Sequence, residues 1–231
     1  MYNIKKGFSL AEILISLTII GVVSAITIPI LLQKHQEKVT VIKVKKFYST
    51  ISQAYESYVY NYGYPETWNN FSSQKEATTD FANKFKPYLK VLKDCGYDKG
   101  CFINENYKRA DGSYTINFIT HSFKRYMFIL NDGSAVAILV GNNNKNEGGF
   151  YYDINGTKPP NQFGKDIFQF SFDNTNKLLP GGYTEDNKNA LSNCLVGGFT
   201  CANWIIKNGN MDYLHCPTYL TKNPLAVKCP N

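Results

Sequence analysis

Residues 13–33 form a run of 21 residues without one charged side chain, and the apolar character reaches back to Phe8, with Glu12 as the sole interruption. About 20 residues of helix cross a ~30 Å hydrocarbon layer, so the run has the length of a membrane span. A secretory signal peptide fits less well. Only seven residues precede the apolar stretch, the stretch is about twice the length of a signal h-region, and no A-x-A-like site follows it. A buried core helix seldom runs this long with so little polar relief. A single span near the N terminus is the reading that the pattern favours.

The rest of the chain limits how much membrane there is. Mean hydropathy is −0.31 over 231 residues, which excludes a polytopic membrane protein. The length suits one compact domain with an appendage. Aromatic residues make up 15% of the chain, ample material for a core. The net charge of +7 comes from 23 Lys and 2 Arg (Arg109, Arg125) against 18 acids. Base readout and bidentate phosphate recognition favour Arg, so the charge reads as a solvated lysine surface, and no nucleic-acid partner is expected.

Glu12 is the anomaly in the run. An ionised carboxylate at bilayer depth costs on the order of 2.5–3.5 kcal/mol on insertion scales, and such groups are paired, neutralised or close to the interface. The span holds no basic residue to pair with it. Its partner must come from the chain's own amino end or from another subunit.

Lys5-Lys6-Gly7-Phe8-Ser9-Leu10-Ala11-Glu12, followed by the apolar run with Pro29 inside it, resembles the prepilin-type cleavage and methylation signal of type IV pilins and type II secretion pseudopilins. The resemblance covers about the first 35 residues. It implies that a prepilin peptidase cuts between Gly7 and Phe8 on the cytoplasmic side and that the same enzyme N-methylates Phe8. It also implies a pilin-like α+β fold: a long N-terminal helix, transmembrane in its first half, packed on an antiparallel sheet, with a disulfide-stapled C-terminal region. Cutting there creates a cationic amine four residues before Glu12, so the Glu12 of one subunit can neutralise the Phe8 amine of its neighbour. The lysine count opposes this orientation. Lys34, Lys38, Lys43, Lys45 and Lys46 follow the span, whereas Lys5 and Lys6 precede it, and the positive-inside rule alone would put the C-terminal side in the cytoplasm. The cleavage signature and six cysteines beyond the span decide for an extracytoplasmic head.

The helical pattern continues past the span. Val44, Phe47, Tyr48, Ile51, Ala54, Tyr55, Tyr58, Val59 and Tyr62 recur at spacings of three and four, and Lys45, Lys46, Ser52, Gln53 and Glu56 occupy the opposite face. Gly63-Tyr64-Pro65 ends it. A helix from Ser9 to Tyr62 would be about 80 Å long. Gly21 and Pro29 are its weak points, and the family's filaments melt similar segments. Gly21 and Ala25 also offer a small-residue face for close helix approach. The tyrosine stripe (Tyr48, Tyr55, Tyr58, Tyr62) reads as core rather than as a stacking platform for single strands. The expected organisation is therefore a leader at 1–7, a membrane helix at 8–33, its extracytoplasmic continuation at 34–64 and a globular head at 65–231.

Within the head, the pattern predicts a helix over 75–92 that is disturbed by Pro87, then strands at 114–120, 126–130, 134–140, 150–154 and 166–172. Asn131-Asp132-Gly133 makes a hairpin turn between the second and third. The cysteines Cys95, Cys101, Cys194, Cys201, Cys216 and Cys229 are even in number and have no C-x2-C spacing, so disulfides in an oxidising compartment are expected rather than zinc. Local pairing, 95–101, 194–201 and 216–229, is the expected connectivity among 15 possible. Asp153, Asn155 and Asp166 surround the Gly156 turn as calcium loops do, although the spacing is not that of an EF-hand. Major pseudopilins bind calcium in a C-terminal loop; an Asx turn ending a strand is the plainer alternative. No other cofactor is expected.

The three histidines, His35, His121 and His215, are far apart, and no G-x-S-x-G, H-E-x-x-H or P-loop is present. The chain therefore reads as a structural subunit and not an enzyme. It is expected in the bacterial cytoplasmic (inner) membrane as a single-pass protein, and then in a filament in the periplasm or at the cell surface. Its partners are prepilin peptidase and other pilin or pseudopilin subunits. A type II secretion pseudopilus for protein export and a type IV pilus for adhesion, motility or DNA uptake are the two forms of this reading. An unprocessed, membrane-tethered periplasmic enzyme is the outsider.

Overall fold

A computed structural model of the chain describes residues 7, 9–64, 71–141, 148–172, 177–183 and 187–230. Two compact units result, Met1–Val39 and Thr40–Asn231, and helix α1 (Leu10–Tyr62) supplies residues to both. The leader up to Lys6, and Phe8 itself, lie outside the described residues.

In the first unit the α1 residues are helical through Gly21 and across Pro29. The large apolar side chains from Leu10 to Leu32 are 44–78% exposed, so nothing in the unit covers them. A helix whose only charge between Leu10 and Leu32 is Glu12 is stable only against lipid or other helices.

The second unit is an α+β sandwich on a meander sheet. The α1 residues Val44, Phe47, Ile51, Ala54, Tyr55 and Tyr58 are buried on one sheet face, as their spacing predicts. The sheet comprises β1 (Val91–Gly96), β2 (Tyr126–Leu130), β3 (Ala135–Val140), β4 (Gly148–Asp153), β5 (Ile167–Phe172) and β6 (Leu178–Pro180), all antiparallel and in chain order. Period-two alternation assigns the faces. Val136, Ile138, Phe150, Phe168 and Phe170 join α1 in one core, whereas Ala135, Ala137, Met127 and Ile167 face a second core under Phe102, Tyr107, Phe118 and Phe163. Rings carry most of the first core: Phe47 stacks on Tyr152 at 3.8 Å, and Tyr55 on Phe172 at 5.2 Å. Tyr55 and Tyr58 are 2% exposed and belong to the core, Tyr48 packs against it half-buried, and Tyr62, at the end of the stripe, is 45% exposed.

Two expectations are corrected. The helix foreseen at 75–92 is α2 (Gln74–Phe85), capped by Ser73, whose side chain accepts the Glu76 N–H. Pro87 then sits in a 3-10 turn, Lys86–Tyr88, and Leu92 lies on the edge strand β1 with its side chain exposed. The strand expected at 114–120 does not form. Asn117 Oδ1 accepts the N–H groups of Ile119 (2.9 Å) and Thr120 (3.1 Å), and this side-chain turn outcompetes the β-pattern. Tyr114 makes only an isolated bridge with Lys108. The Asn131-Asp132-Gly133 hairpin is present, with Gly133 at φ +81° and the Ser134 and Leu130 backbones bonded across it.

After the sheet come α3 (Asn187–Val196), α4 (Cys201–Asn208) and α5 (Pro217–Lys222), where the sequence shows no strong periodicity. Three bridges staple the head: Cys95–Cys101, Cys194–Cys201 and Cys216–Cys229, with Cα–Cα distances of 6.1, 4.7 and 5.7 Å. Each closes a short loop, which removes entropy from the unfolded chain.

Candidate functional site

At the N-terminal site, Ser9 caps α1 and Glu12 is three residues inside it. The Ser9 backbone N–H donates to Glu12 Oε2 at 2.7 Å, the Ser9 hydroxyl donates to the same oxygen at 2.8 Å, and the Glu12 N–H donates back to Ser9 Oγ at 3.3 Å. This is a capping box. It holds the carboxylate at the positive end of the helix dipole and satisfies one of its oxygens without a counter-charge. The S-x-x-E spacing of Ser9 and Glu12 carries that signal in the sequence. A Cβ built on Gly21 meets nothing within 4 Å. The space beside it is open to a neighbouring helix.

The second candidate is the turn between β4 and β5, where Asp153, Asn155 and Asp166 come together. Asp153 is fully buried and Asp166 is 2% exposed. The Asn161 and Gln162 N–H groups donate to Asp166 at 2.8 and 2.7 Å, and the Asn155 N–H donates to Asp153 Oδ1 at 3.1 Å. Asp153 Oδ2 and Asn155 Oδ1 are buried without a partner. Lys43 Nζ donates to the Ile154 carbonyl at 2.9 Å, and among the described residues neither carboxylate is in an ion pair. Burial, reinforced by the neighbouring Asp166, raises the Asp153 carboxyl to about 8. Burial raises Asp166 to about 6, against the backbone N–H groups that hold it down. The donor set of carboxylate and amide oxygens suits a hard cation such as calcium. Among the described residues no three His, Cys, Asp or Glu side chains gather, so such an ion would also lean on Asn155 and on backbone oxygens.

A third feature was not foreseen. Residues of α3, α4 and the tail after α5 enclose a cavity of about 120 Å³, lined by Asn203, Trp204, Lys207, Leu225 and Val227 among others. The tail has no hydrophobic period, so nothing in the sequence marks it.

A family model, described as a family of unknown function (DUF6613), matches residues 30–191. The chain belongs to DUF6613. Ahead of that match, residues 2–28 of this DUF6613 member match the prokaryotic N-terminal methylation motif. The N terminus therefore carries a type IV pilin- or pseudopilin-type signal, and the chain is a pilin-like or pseudopilin precursor. No curated protein and no solved structure matches the chain. The motif, together with one helix long and apolar enough to cross a membrane, is consistent with single-pass anchoring. It implies processing by a prepilin peptidase and assembly with other pilins. The signature points to a structural subunit.

Proposed function

We propose that this chain is a structural subunit that is cut between Gly7 and Phe8, N-methylated at Phe8, and assembled into a type II secretion pseudopilus that drives protein export. The observation that carries the reading is the methylation motif at residues 2–28, most of which is an uncovered apolar helix with Glu12 in its first turn. Processing removes the leader and leaves a cationic amine one residue before the Ser9 cap. The Glu12 carboxylate of one subunit then meets the Phe8 amine of the next, which takes both charges out of lipid together and sets the register. Desolvation offsets much of the attraction, so the pair contributes specificity more than raw stability. Gly21 and Pro29 give the helix places to approach neighbours and to unwind. The cytoplasmic membrane holds the precursor, with the head on the extracytoplasmic side, where its three disulfides persist.

The buried turn at Asp153, Asn155 and Asp166 favours the export machine over a surface fibre. Major pseudopilins carry calcium in a C-terminal loop, and this turn supplies two buried carboxylates, with Asp153 Oδ2 and the Asn155 amide oxygen unpartnered. There a calcium ion would neutralise the carboxylates and tie β4 to β5. Deletion of the gene tests the assignment. Loss of exported proteins with bare cells supports the pseudopilus, whereas surface fibres that contain the chain assign it to a type IV pilus for adhesion, motility or DNA uptake. A purified chain that still begins at Met1 would support a membrane-tethered enzyme instead.

A further inference from the structure

Five lysines, Lys34, Lys38, Lys43, Lys45 and Lys46, follow the apolar run closely, and the two units divide them. The three in the second unit each face something in the head. Lys43 Nζ donates to the Ile154 carbonyl at 2.9 Å, a Cβ built on Gly209 would lie 3.1 Å from Lys45 Nζ, and Lys46 is within electrostatic reach of Asp132. Gly209 is the left-handed cap that ends α4, so the Lys45 ammonium sits at the negative end of that helix.

Lys34 and Lys38 belong to the first unit and have no such contact. Both are exposed, and among the described residues neither takes part in a hydrogen bond or an ion pair. About one turn of α1 separates them, so they share a side of the helix, with exposed His35 next to Lys34. Glu37, the one acid from Lys34 to Lys46, accepts from Gln33 Nε2 at 3.1 Å.

Their distance from the apolar run decides what they meet. At 1.5 Å per residue, Lys34 and Lys38 stand about 3 and 9 Å past Leu32. The polar layer on each side of the hydrocarbon is roughly 5–7 Å thick. A lysine stem lies along apolar surface while its ammonium stays in the polar zone. Both ammonium groups therefore reach headgroup phosphates when the span is in a bilayer. An anionic headgroup is a counter-charge that the same membrane holds at that level, whereas a free anion has to be drawn from solution. Each lysine at such a surface is worth about fivefold in affinity. We infer that Lys34 and Lys38 form a binding site for anionic phospholipid headgroups of the extracytoplasmic leaflet. The occupied site holds the lysine-bearing end of the span in that leaflet and offsets the positive-inside preference that opposes this orientation. The inference rests on the single-pass reading with the head outside, and it is independent of which filament the subunit joins.

Energy transfer in lipid nanodiscs that contain the full chain tests it. The six native cysteines are all bridged, so Gln36→Cys, exposed on α1 two residues from each lysine, takes a single donor dye. The discs are phosphatidylcholine with about one-fifth phosphatidylglycerol, and an acyl-chain acceptor is placed on one lipid or the other. In low salt, transfer to phosphatidylglycerol should exceed transfer to phosphatidylcholine at least twofold. The ratio should fall to about one in roughly 0.5 M salt, where surface charge is screened. It should also fall to about one in the Lys34→Gln, Lys38→Gln double variant, whereas Lys45→Gln, Lys46→Gln should keep it. All four side chains are exposed, so loss of folding does not explain a loss of preference. Equal transfer to both lipids in the wild type, or a preference that survives the Lys34, Lys38 double variant, overturns the site. Orientation is read separately, by labelling Ser57→Cys with an impermeant maleimide in spheroplasts. Labelling only after lysis would overturn the leaflet assignment and the head-outside reading while the headgroup site stands, and a chain that does not enter the discs would overturn the single-pass reading itself.

Discussion

Ile20 and Ile51 are the same side chain on the same helix, yet Ile20 is 62% exposed and Ile51 is fully buried. Around Ile51 the apolar residues recur every three or four positions, and the rest are Lys, Ser, Gln and Glu. One stripe meets one sheet face and water takes the other. Around Ile20 large apolar residues point to every side and none of their neighbours is charged, so no single sheet face can satisfy it. The head solves its hydrophobic problem within one chain. The first unit does not, and lipid or other helices would have to cover it.

The largest effect that separates the two regions concerns Glu12. Glu12→Leu makes the first unit more apolar and removes one half of the proposed inter-subunit pair. Processing at Gly7/Phe8 should continue while incorporation into filaments falls by more than tenfold, as measured by immunoblot of sheared fibres against total membrane protein. Normal incorporation of the variant would show that the first unit assembles on apolar contact alone.

Next comes the core. Ile51→Ala should destabilise the head by about 2–5 kcal/mol, whereas Ile20→Ala should leave its unfolding midpoint unchanged. Urea unfolding of the full chain in detergent micelles, followed by tyrosine and tryptophan fluorescence, reads both. Equal effects would erase the distinction between the regions.

How far these regions can be read without coordinates follows the same division. The α1 stripe from Val44 to Tyr58 was legible because packing on a sheet imposes its own period on the sequence. The hairpin was legible because Asn131-Asp132-Gly133 has few other uses. The segment 114–120 was not: its alternation of Tyr, Ile and Phe mimics a strand, and only the Asn117 side chain, bonded two and three residues ahead, turns it. Residues 86–92 mislead because Leu89 and Leu92 prolong a helical period through Pro87, where the chain changes to a 3-10 turn and then an edge strand. At the N terminus, Gly7, Phe8 and Glu12 stood out because chemistry fixes their order. The cavity at Asn203 and Trp204 did not, since folding gathers it from three separated segments.

A smaller effect concerns the staples, which only the head has. Replacing Cys216 and Cys229 with Ser should cost about 2–4 kcal/mol and loosen the tail around Leu225. Hydrogen exchange should rise in residues 210–230 and remain unchanged in α1. Uniform protection would show that the bridge is idle.

The smallest effect is the response to calcium, which is read against the pH dependence of two buried carboxyls. The fold raises Asp153 to about 8 and Asp166 to about 6, above the unfolded value for a carboxyl, so it favours their protonated forms. In chelator, that stability is present below about pH 4 and is lost as pH rises through 6 to 8. Millimolar calcium at pH 8 should restore a few degrees of melting temperature to the wild type and none to Asp153→Asn. No calcium response would remove the ion from the turn.

The central claim is that the first unit is completed by a terminus which exists only after cutting. Intact-mass and peptide analysis of the chain from its native membrane tests this directly. The account predicts a 224-residue species that begins with N-methylated Phe8. A chain that still carries Met1 to Gly7 would contradict it.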